Sequence, residues 1–192
     1  MELVFATNNK NKILEIKNLI QKNIKLLSLS DIGFKGEIIE DGNSLHENSL
    51  IKAKFIRSKY GINCFADDTG LEVHSLNNEP GIYSSRYAGY PINTNNNIKK
   101  LINNLERFNN KSARFRTVIS LIINENIYSF EGVVNGNIIK EIKGKKGFGY
   151  DPIFIPNGYN KTFAELSLKE KNLISHRSIA VNKMIRFLEK NY

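Results

Sequence analysis

A change in hydrophobic period near the N-terminus is the feature that most constrains the fold. A short apolar run, ELVFAT (residues 2–7), is followed by NKNKILEIKNLIQKN (residues 9–23), in which Ile13, Ile16 and Ile20 recur every three or four residues. The first pattern predicts a buried strand and the second predicts an amphipathic helix. A strand that leads through a turn into a helix is typical of an α/β fold.

The rest of the chain continues with helices and then strands. Helices are predicted at residues 42–61, 94–108 and 175–190, the last with Ser175 as its N-cap. Strands are predicted at residues 62–67 and 71–76 on either side of a DDTG turn, and at 113–123, 127–136 and 137–142. This order predicts a mixed central sheet flanked by helices. No repeat or linker interrupts it, so residues 1–192 are interpreted as a single domain.

The size and cysteine content limit what the chain can be. Its 192 residues are 41% hydrophobic, which is enough for a sizeable core without covalent crosslinks. The single cysteine, Cys64, excludes an internal disulfide framework and a multi-cysteine metal site. No run reaches the roughly 20 apolar residues of a membrane helix, and no secretory leader is recognisable. A cytoplasmic location without membrane contact is therefore expected.

The net charge of +9 favours an anionic partner, although many of the lysines can equally be solvated surface residues. One hypothesis is a basic nucleic-acid-binding module, which would need clustered Lys and Arg with interleaved aromatic residues. Here the basic residues are scattered and the acidic ones fall together in motifs. This distribution favours a metal-dependent enzyme, and no stable nucleic-acid binding is expected.

Three polar motifs in the first half could carry chemistry. FATNNKNK (residues 5–12) leads from a strand into a helix, where backbone N–H groups and lysines can bind phosphate. IIEDGNSLHENS (residues 38–49) offers oxygen ligands that suit Mg²⁺, although acidic residues before a helix are more often caps. Asp67 and Asp68 repel one another, so a role with a cation is favoured over a simple turn.

Two motifs in the second half could recognise a ligand. GKKGFGYDPIFIP (residues 144–156) combines glycines, aromatic residues and an aspartate in a loop that could hold a flat ring, or simply connect two strands. KEKNLISHRS (residues 169–178) places several hydrogen-bond donors at the start of a helix. The sequence has neither a Cys/His metal spacing nor a Gly-x-Ser-x-Gly elbow, which argues against zinc hydrolysis and acyl transfer.

The order of these motifs resembles the inosine triphosphate pyrophosphatase family, the Ham1/RdgB-like enzymes, over nearly the whole chain. The matching segments are ATNNKNK, EDGNSLHENSLIKA, ADDTGLEV, PGIYSSRYAG, GFGYDPIF and EKNLISHR. The resemblance implies hydrolysis of ITP, dITP and XTP to the monophosphate and pyrophosphate with Mg²⁺. It also implies a homodimer and an elongated ITPase-like (Maf/Ham1) fold, with the active site in a cleft between two lobes.

The resemblance also assigns roles to individual residues. Asp68 matches the catalytic aspartate, and Glu40 with Asp68 would bind the metal, although Asp41 or Asp67 could take part. The expected substrate-binding residues are Thr7, Asn8, Asn9, Lys10, Asn11, Lys12, Lys52, Thr69, Phe148, Gly149, Tyr150, Asp151, Lys171, His176 and Arg177. Departures from the family pattern are Asn8 where many relatives have Gly, Ser49 in ENS, and Thr69 in place of Ser.

The expected mechanism is attack of water on the α-phosphorus, with Asp68 orienting and deprotonating that water. Donors from Lys171, His176 or Arg177 that point at the 6-oxygen of hypoxanthine or xanthine would reject adenine. A related hypothesis is a Maf-like pyrophosphatase of modified pyrimidine nucleotides, which the SHR and GFGYD segments argue against.

Overall fold

The computed structural model describes residues 1–20 and 24–192. The strands in these residues are β1 (Glu2–Phe5), β2 (Lys25–Leu27), β3 (Cys64–Val73), β4 (Glu79–Pro80), β5 (Ser112–Ile123), β6 (Asn126–Ile138) and β7 (Phe154–Pro156). The helices are α1 (Lys10–Lys17), α2 (Leu45–Tyr60), α3 (Thr94–Leu105), α4 (Leu168–Ile174) and α5 (His176–Asn191). None of these helices has the length and apolar character needed to cross a bilayer.

The strands belong to one mixed sheet with the order β2-β1-β3-β5-β6-β7, and β4 pairs with β3. β1 runs parallel to both of its neighbours, with Val4 opposite Leu27 of β2 and Cys64 of β3. The β3–β4 and β6–β7 pairs are antiparallel. The predicted mixed α/β fold is therefore confirmed.

Contacts divide the chain into two compact units. Unit 1 comprises residues 1–68, 117–132 and 177–192, and unit 2 comprises residues 69–116 and 133–176. Each unit has its own hydrophobic core, described in turn below.

The core of unit 1 lies on both faces of its strands. Leu3 and Phe5 of β1 pack in a cluster with residues of α1 and α5, whereas Val4 and Ala6 pack with residues of α2. Successive side chains of a strand point to opposite faces. The continuous apolar run at the N-terminus is thus explained by burial on both sides, as in other parallel strands covered by helices.

The core of unit 2 is built on α3 and on aromatic residues. Ile98, Leu101 and Leu105 are buried along one side of α3 and belong to a single cluster with Phe115 and Phe163. Ile102, also expected to face inward, is only partly buried against this cluster. The period of three and four residues therefore predicted the packing face of this helix correctly.

The predicted helix boundaries need correction. The helix expected over residues 9–23 ends at Lys17, and residues 21–23 lie outside the described part of the chain. The C-terminal helix begins at His176, directly after Ser175. Ser175 is also the C-cap of α4, where its N–H donates to the carbonyl of Lys171. α4 has only seven residues, too few to show a helical period in the sequence, and was not predicted.

The prediction of a DDTG turn is wrong, because these residues lie inside the ten-residue strand β3. Gly70 does not mark a turn but a close approach of two backbone segments. A Cβ atom at this position would lie 2.6 Å from the carbonyl oxygen of Gly81. The expected strand over residues 71–76 stops at Val73, and a short 3₁₀ helix covers His74–Leu76.

The boundary predicted between the strands at residues 127–136 and 137–142 is wrong, because β6 runs without a break from Asn126 to Ile138. Residues 139–142, predicted as part of the second strand, are not in a strand. The Asn-Gly pair that suggested a turn is part of this strand. A Cβ atom at Gly136 would lie 2.3 Å from the carbonyl oxygen of Ile155 in β7. Gly136 therefore permits close packing against β7 and does not end the strand.

We expect Gly70→Ala to destabilise the protein by about 3 kcal/mol, because the added methyl group meets backbone atoms that can move only with their segment. Urea-induced unfolding of the free protein measures this loss. Gly33→Ala is the control, since nothing lies within 4 Å of a Cβ there and only its left-handed φ of 72° is unfavourable. A Gly70→Ala variant as stable as the parent protein would contradict the close approach.

Candidate active site

The turn between β1 and α1 is organised by its own side chains. Asn9 caps α1, and its Oδ1 accepts hydrogen bonds from the N–H groups of Asn11 and Lys12 at 3.0 and 3.2 Å. The Asn9 N–H donates to Thr7 Oγ1, and Asn8 Nδ2 donates to the carbonyl of Gly36. Two N–H groups of the helix N-terminus, which could bind an anion, are therefore already occupied by Asn9.

Four charged side chains of unit 1 alternate in sign. Lys12 Nζ lies 2.9 Å from Asp67 Oδ1, and Arg177 Nε lies 3.0 Å from Asp67 Oδ2. Arg177 also donates through Nη1 to Glu15 Oε2. Lys12 and Glu15 both belong to α1, so the pairs Lys12–Asp67–Arg177–Glu15 connect α1 with β3 and α5. We call these four residues the charge chain.

Opposite charges in the charge chain stabilise the ionised forms of Asp67 and Arg177 although both side chains are buried. Burial raises the pKa of Asp67, but Lys12 and Arg177 outweigh it and hold the pKa well below its usual range. Burial likewise lowers the pKa of Arg177, and Asp67 and Glu15 more than compensate. For Lys12 burial prevails, so its pKa is lowered despite the attraction of Asp67.

A second cluster in unit 1 contains the two carboxylates expected to bind metal. Lys52 Nζ lies 3.0 Å from Glu40 Oε1 and 3.9 Å from Asp68 Oδ1. Asp68 is 8% exposed, and Lys52 is 6% exposed. Asp41, the alternative to Glu40, is exposed, whereas Glu40 is half-buried next to Lys52. The geometry therefore favours Glu40 over Asp41 as the partner of Asp68.

The environment of Asp68 disfavours its charged form. Burial raises the pKa of the Asp68 carboxyl, and repulsion by Glu40 adds to this. The pKa stays raised although Lys52, Lys12 and a hydrogen bond from Asn48 act in the opposite direction. Such a shift is typical of carboxylates that exchange protons during catalysis.

Unit 2 brings together another group of the expected residues. Lys171 Nζ lies 2.5 Å from Asp151 Oδ2, and both side chains are 3% exposed. The same Asp151 oxygen accepts the N–H of Phe148 at 2.9 Å, and Lys171 Nζ lies 5.1 Å from the centre of the Phe148 ring. A Cβ at Gly147 would lie 2.0 Å from Asp151 Oδ2, so only glycine permits this arrangement.

The other expected substrate-binding residues of unit 2 are His176, Tyr150, Gly149 and Thr69. His176 is buried and stacks on Phe115 with ring centres 4.6 Å apart. Tyr150 is buried, and its hydroxyl donates to the carbonyl of Ser84. Gly149 has a left-handed φ of 61°, and Thr69 is half-buried in β3.

Two residues of the site were not assigned by the sequence analysis. Glu15 pairs with Arg177, although nothing in the helical pattern of α1 marks it as an inward-facing charge. Asn48 lies in the motif IIEDGNSLHENS, which offers oxygen ligands, but its Nδ2 donates to Asp68 Oδ2 at 3.1 Å. Glu47, its neighbour in the same motif, accepts the N–H of Asn43 in the turn that precedes α2.

The chain is similar over nearly its whole length to known proteins of one family. The model of the Ham1 family matches residues 3–187. A dITP/XTP pyrophosphatase of Christiangramia forsetii is 53% identical over 99% of this chain and 100% of its own length. A dITP/XTP pyrophosphatase of Flavobacterium psychrophilum is 52% identical over 98% of this chain and 100% of its own length.

Solved structures agree as well. The Ham1 protein of Staphylococcus aureus has a TM-score of 0.91 and 38% identity, with both chains fully covered. A Ham1 protein of Coxiella burnetii has a TM-score of 0.92 and 37% identity, with 99% of each chain covered. These similarities extend over both units and over every motif described above.

We expect Glu15→Gln to destabilise the free protein by about 3 kcal/mol, because it leaves the buried Arg177 with one carboxylate in place of two. Denaturant unfolding at neutral pH without nucleotide or metal measures the change. Glu2→Gln is the matched control, since Glu2 pairs with Lys25 at 2.8 Å on the surface and its loss should leave the midpoint unchanged. Equal effects of the two substitutions would contradict the importance of burial.

Proposed function

The chain belongs to the Ham1 family and hydrolyses deaminated purine nucleoside triphosphates, and we propose that it cleaves their α–β phosphoanhydride with Mg²⁺. The resemblance seen in the sequence is thereby confirmed. The observation that supports the finer proposal is the cluster of Glu40, Lys52 and Asp68, in which two carboxylates and a lysine converge. A triphosphate would bring both cations and negative charge to such a cluster.

The donor set of this cluster fits Mg²⁺. Mg²⁺ is usually bound through one or two carboxylates together with substrate phosphates and water. In residues 1–20 and 24–192, no group of three or more His, Cys, Asp and Glu side chains could form a metal site by itself. We propose that Glu40 and Asp68 hold the ion, which would neutralise charge that develops on the phosphoryl oxygens.

Asp68 is the proposed general base. The pKa of its carboxyl group is raised, which shifts it towards neutral pH. A general base is most effective when its pKa lies near the working pH. The attacking water forms a bond to the α-phosphorus and gives a proton to Asp68. The bond from the α-phosphorus to the bridging oxygen breaks, and pyrophosphate leaves with the bonding electrons. The ammonium groups of Lys12 and Lys52 would stabilise the negative phosphoryl oxygens.

The residues of unit 2 are the proposed recognition set for the base. Phe148 offers a ring on which any purine could stack, so it supplies binding without selection. Lys171 and His176 are donors that suit the 6-oxygen of hypoxanthine or xanthine, where adenine carries an amino group instead. A site built for such a hydrogen bond rejects the mismatched partner by about 10⁴-fold or more.

Arg177 was expected to contact the substrate directly. Its guanidinium is 1% exposed and pairs with Asp67 and Glu15. We propose that it acts on the substrate chiefly through Asp67, which in turn holds Lys12 at the end of the charge chain.

We expect Asp68→Asn to fold normally and to lose turnover by about 10³-fold, because the amide cannot accept the proton from water. Pyrophosphate release is measured with ITP, dITP, XTP, GTP, ATP and a modified pyrimidine triphosphate, each with Mg²⁺ and with EDTA. The parent protein should act on ITP, dITP and XTP only when Mg²⁺ is present.

Asp41→Asn is the control for Asp68→Asn and should retain activity. Near-normal turnover by Asp68→Asn would remove Asp68 from its proposed role, and activity on the pyrimidine would favour the Maf-like alternative.

The resemblance to the family also supports a cytoplasmic homodimer that acts on the free nucleotide pool. We expect light scattering after size-exclusion chromatography to give about twice the chain mass of 21.9 kDa. A mass that stays at one chain across micromolar concentrations would contradict the dimer.

A further inference from the structure

We propose that Asn48 is a positioning residue for the hydrolysis: its side-chain amide fixes the orientation of the Asp68 carboxylate and joins it to the segment that carries Glu40. This inference rests on the proposed role of Asp68 as general base. It assigns to Asn48 no contact with the substrate.

The hydrogen bonds of Asn48 leave little choice about its orientation. Its Oδ1 accepts the N–H of Gly42 at 2.9 Å, and its Nδ2 donates to Asp68 Oδ2 at 3.1 Å. A rotated amide would point a donor at the Gly42 N–H and an acceptor at the carboxylate, so both bonds would be lost. Asn48 is only 1% exposed, which leaves water little room to replace either partner.

Asn48 acts together with Lys52. The two residues are four positions apart on α2 and therefore lie on the same face of the helix. Asn48 contacts Oδ2 of Asp68, whereas Lys52 faces Oδ1 at 3.9 Å. Two side chains on one face of α2 thus face the two oxygens of the Asp68 carboxylate, Asn48 through a hydrogen bond and Lys52 at the longer distance.

The other end of the amide reaches the segment of the second carboxylate. Gly42 lies two residues after Glu40, and its approach to Asn48 requires glycine. A Cβ at Gly42 would lie 2.8 Å from Asn48 Oδ1 and 2.7 Å from Glu47 Cβ. Asn48 therefore couples the position of the Glu40 segment to that of Asp68 by hydrogen bonds, in addition to the ion pairs that Lys52 forms with both carboxylates.

Asn97 in α3 provides a natural comparison. It is 4% exposed, its Oδ1 accepts the N–H of Ala88 at 2.7 Å, and its Nδ2 donates to the carbonyl of Ser85 at 2.8 Å. Asn97 thus also bonds through both ends of its amide from a buried helical position. Its partners, which include the carbonyl of Ser84 at 3.5 Å, are all backbone groups, so its loss should affect stability without affecting a catalytic side chain.

The test compares Asn48→Ala with Asn97→Ala in the full chain, with XTP and Mg²⁺. We expect Asn48→Ala to lower kcat about 10²-fold, because a catalytic group displaced by about 1 Å loses that much, with KM changed less than about threefold. Asn97→Ala should keep kcat within about twofold while its unfolding temperature falls as far as that of Asn48→Ala. Asn48→Leu is the second variant if Asn48→Ala does not fold, since it keeps most of the volume, removes both hydrogen bonds and adds no charge beside Asp68.

A double variant separates positioning from a general structural role. If Asn48 acts through Asp68, adding Asn48→Ala to Asp68→Asn should leave the residual turnover unchanged, because residues that act as a unit are not additive. A further fall of the same size as in the parent background would overturn the proposal. So would a kcat of at least half the parent value in Asn48→Ala, or an equal fall in Asn97→Ala. Near-normal turnover of Asp68→Asn would remove Asp68 from its proposed role and would overturn this proposal with it.

Discussion

The charge chain is the interaction on which the arrangement of unit 1 depends. Its four members come from three elements that are far apart in the sequence, and each is held by an opposite charge. Burying a single charge without a partner costs several kcal/mol, so the set is stable only when all its members are in place. Lys12, which faces the proposed triphosphate site, is thereby fixed in position before any substrate binds.

The hydrophobic pattern was a reliable guide to four elements. It predicted α2, α3 and α5 from residues recurring on one packing face, and β1 from a continuous apolar run that is buried on both faces. It failed at Gly70 and Gly136, two glycines that looked like turns and are inside strands. Both permit a close approach by a distant backbone segment, and a single sequence contains no sign of that neighbour.

The candidate site was predictable to the extent that its residues lie in short motifs. The order of the motifs led to Asp68, Lys52 and Glu40. In the structure Lys52 Nζ lies within 4 Å of a carboxylate oxygen of both Glu40 and Asp68. Glu15 and the role of Asn48 were not predictable, because their importance comes from partners rather than from their own neighbours. Glu15 meets Arg177 across 162 positions of the chain, and no local pattern records such a pair.

The cap on α1 has a consequence for the strength of nucleotide binding. Asn9 Oδ1 accepts the hydrogen bonds of two N–H groups that would otherwise be available to a phosphate in the proposed site. A phosphate that takes those groups must first displace the amide, and giving up such a cap costs about 1 kcal/mol. This cost would lower the binding affinity for every triphosphate equally, including the ordinary nucleotides that outnumber damaged ones in a cell. Because this cost is the same for every triphosphate, it would limit occupancy of the proposed site by intact nucleotides without changing the proposed selection among bases.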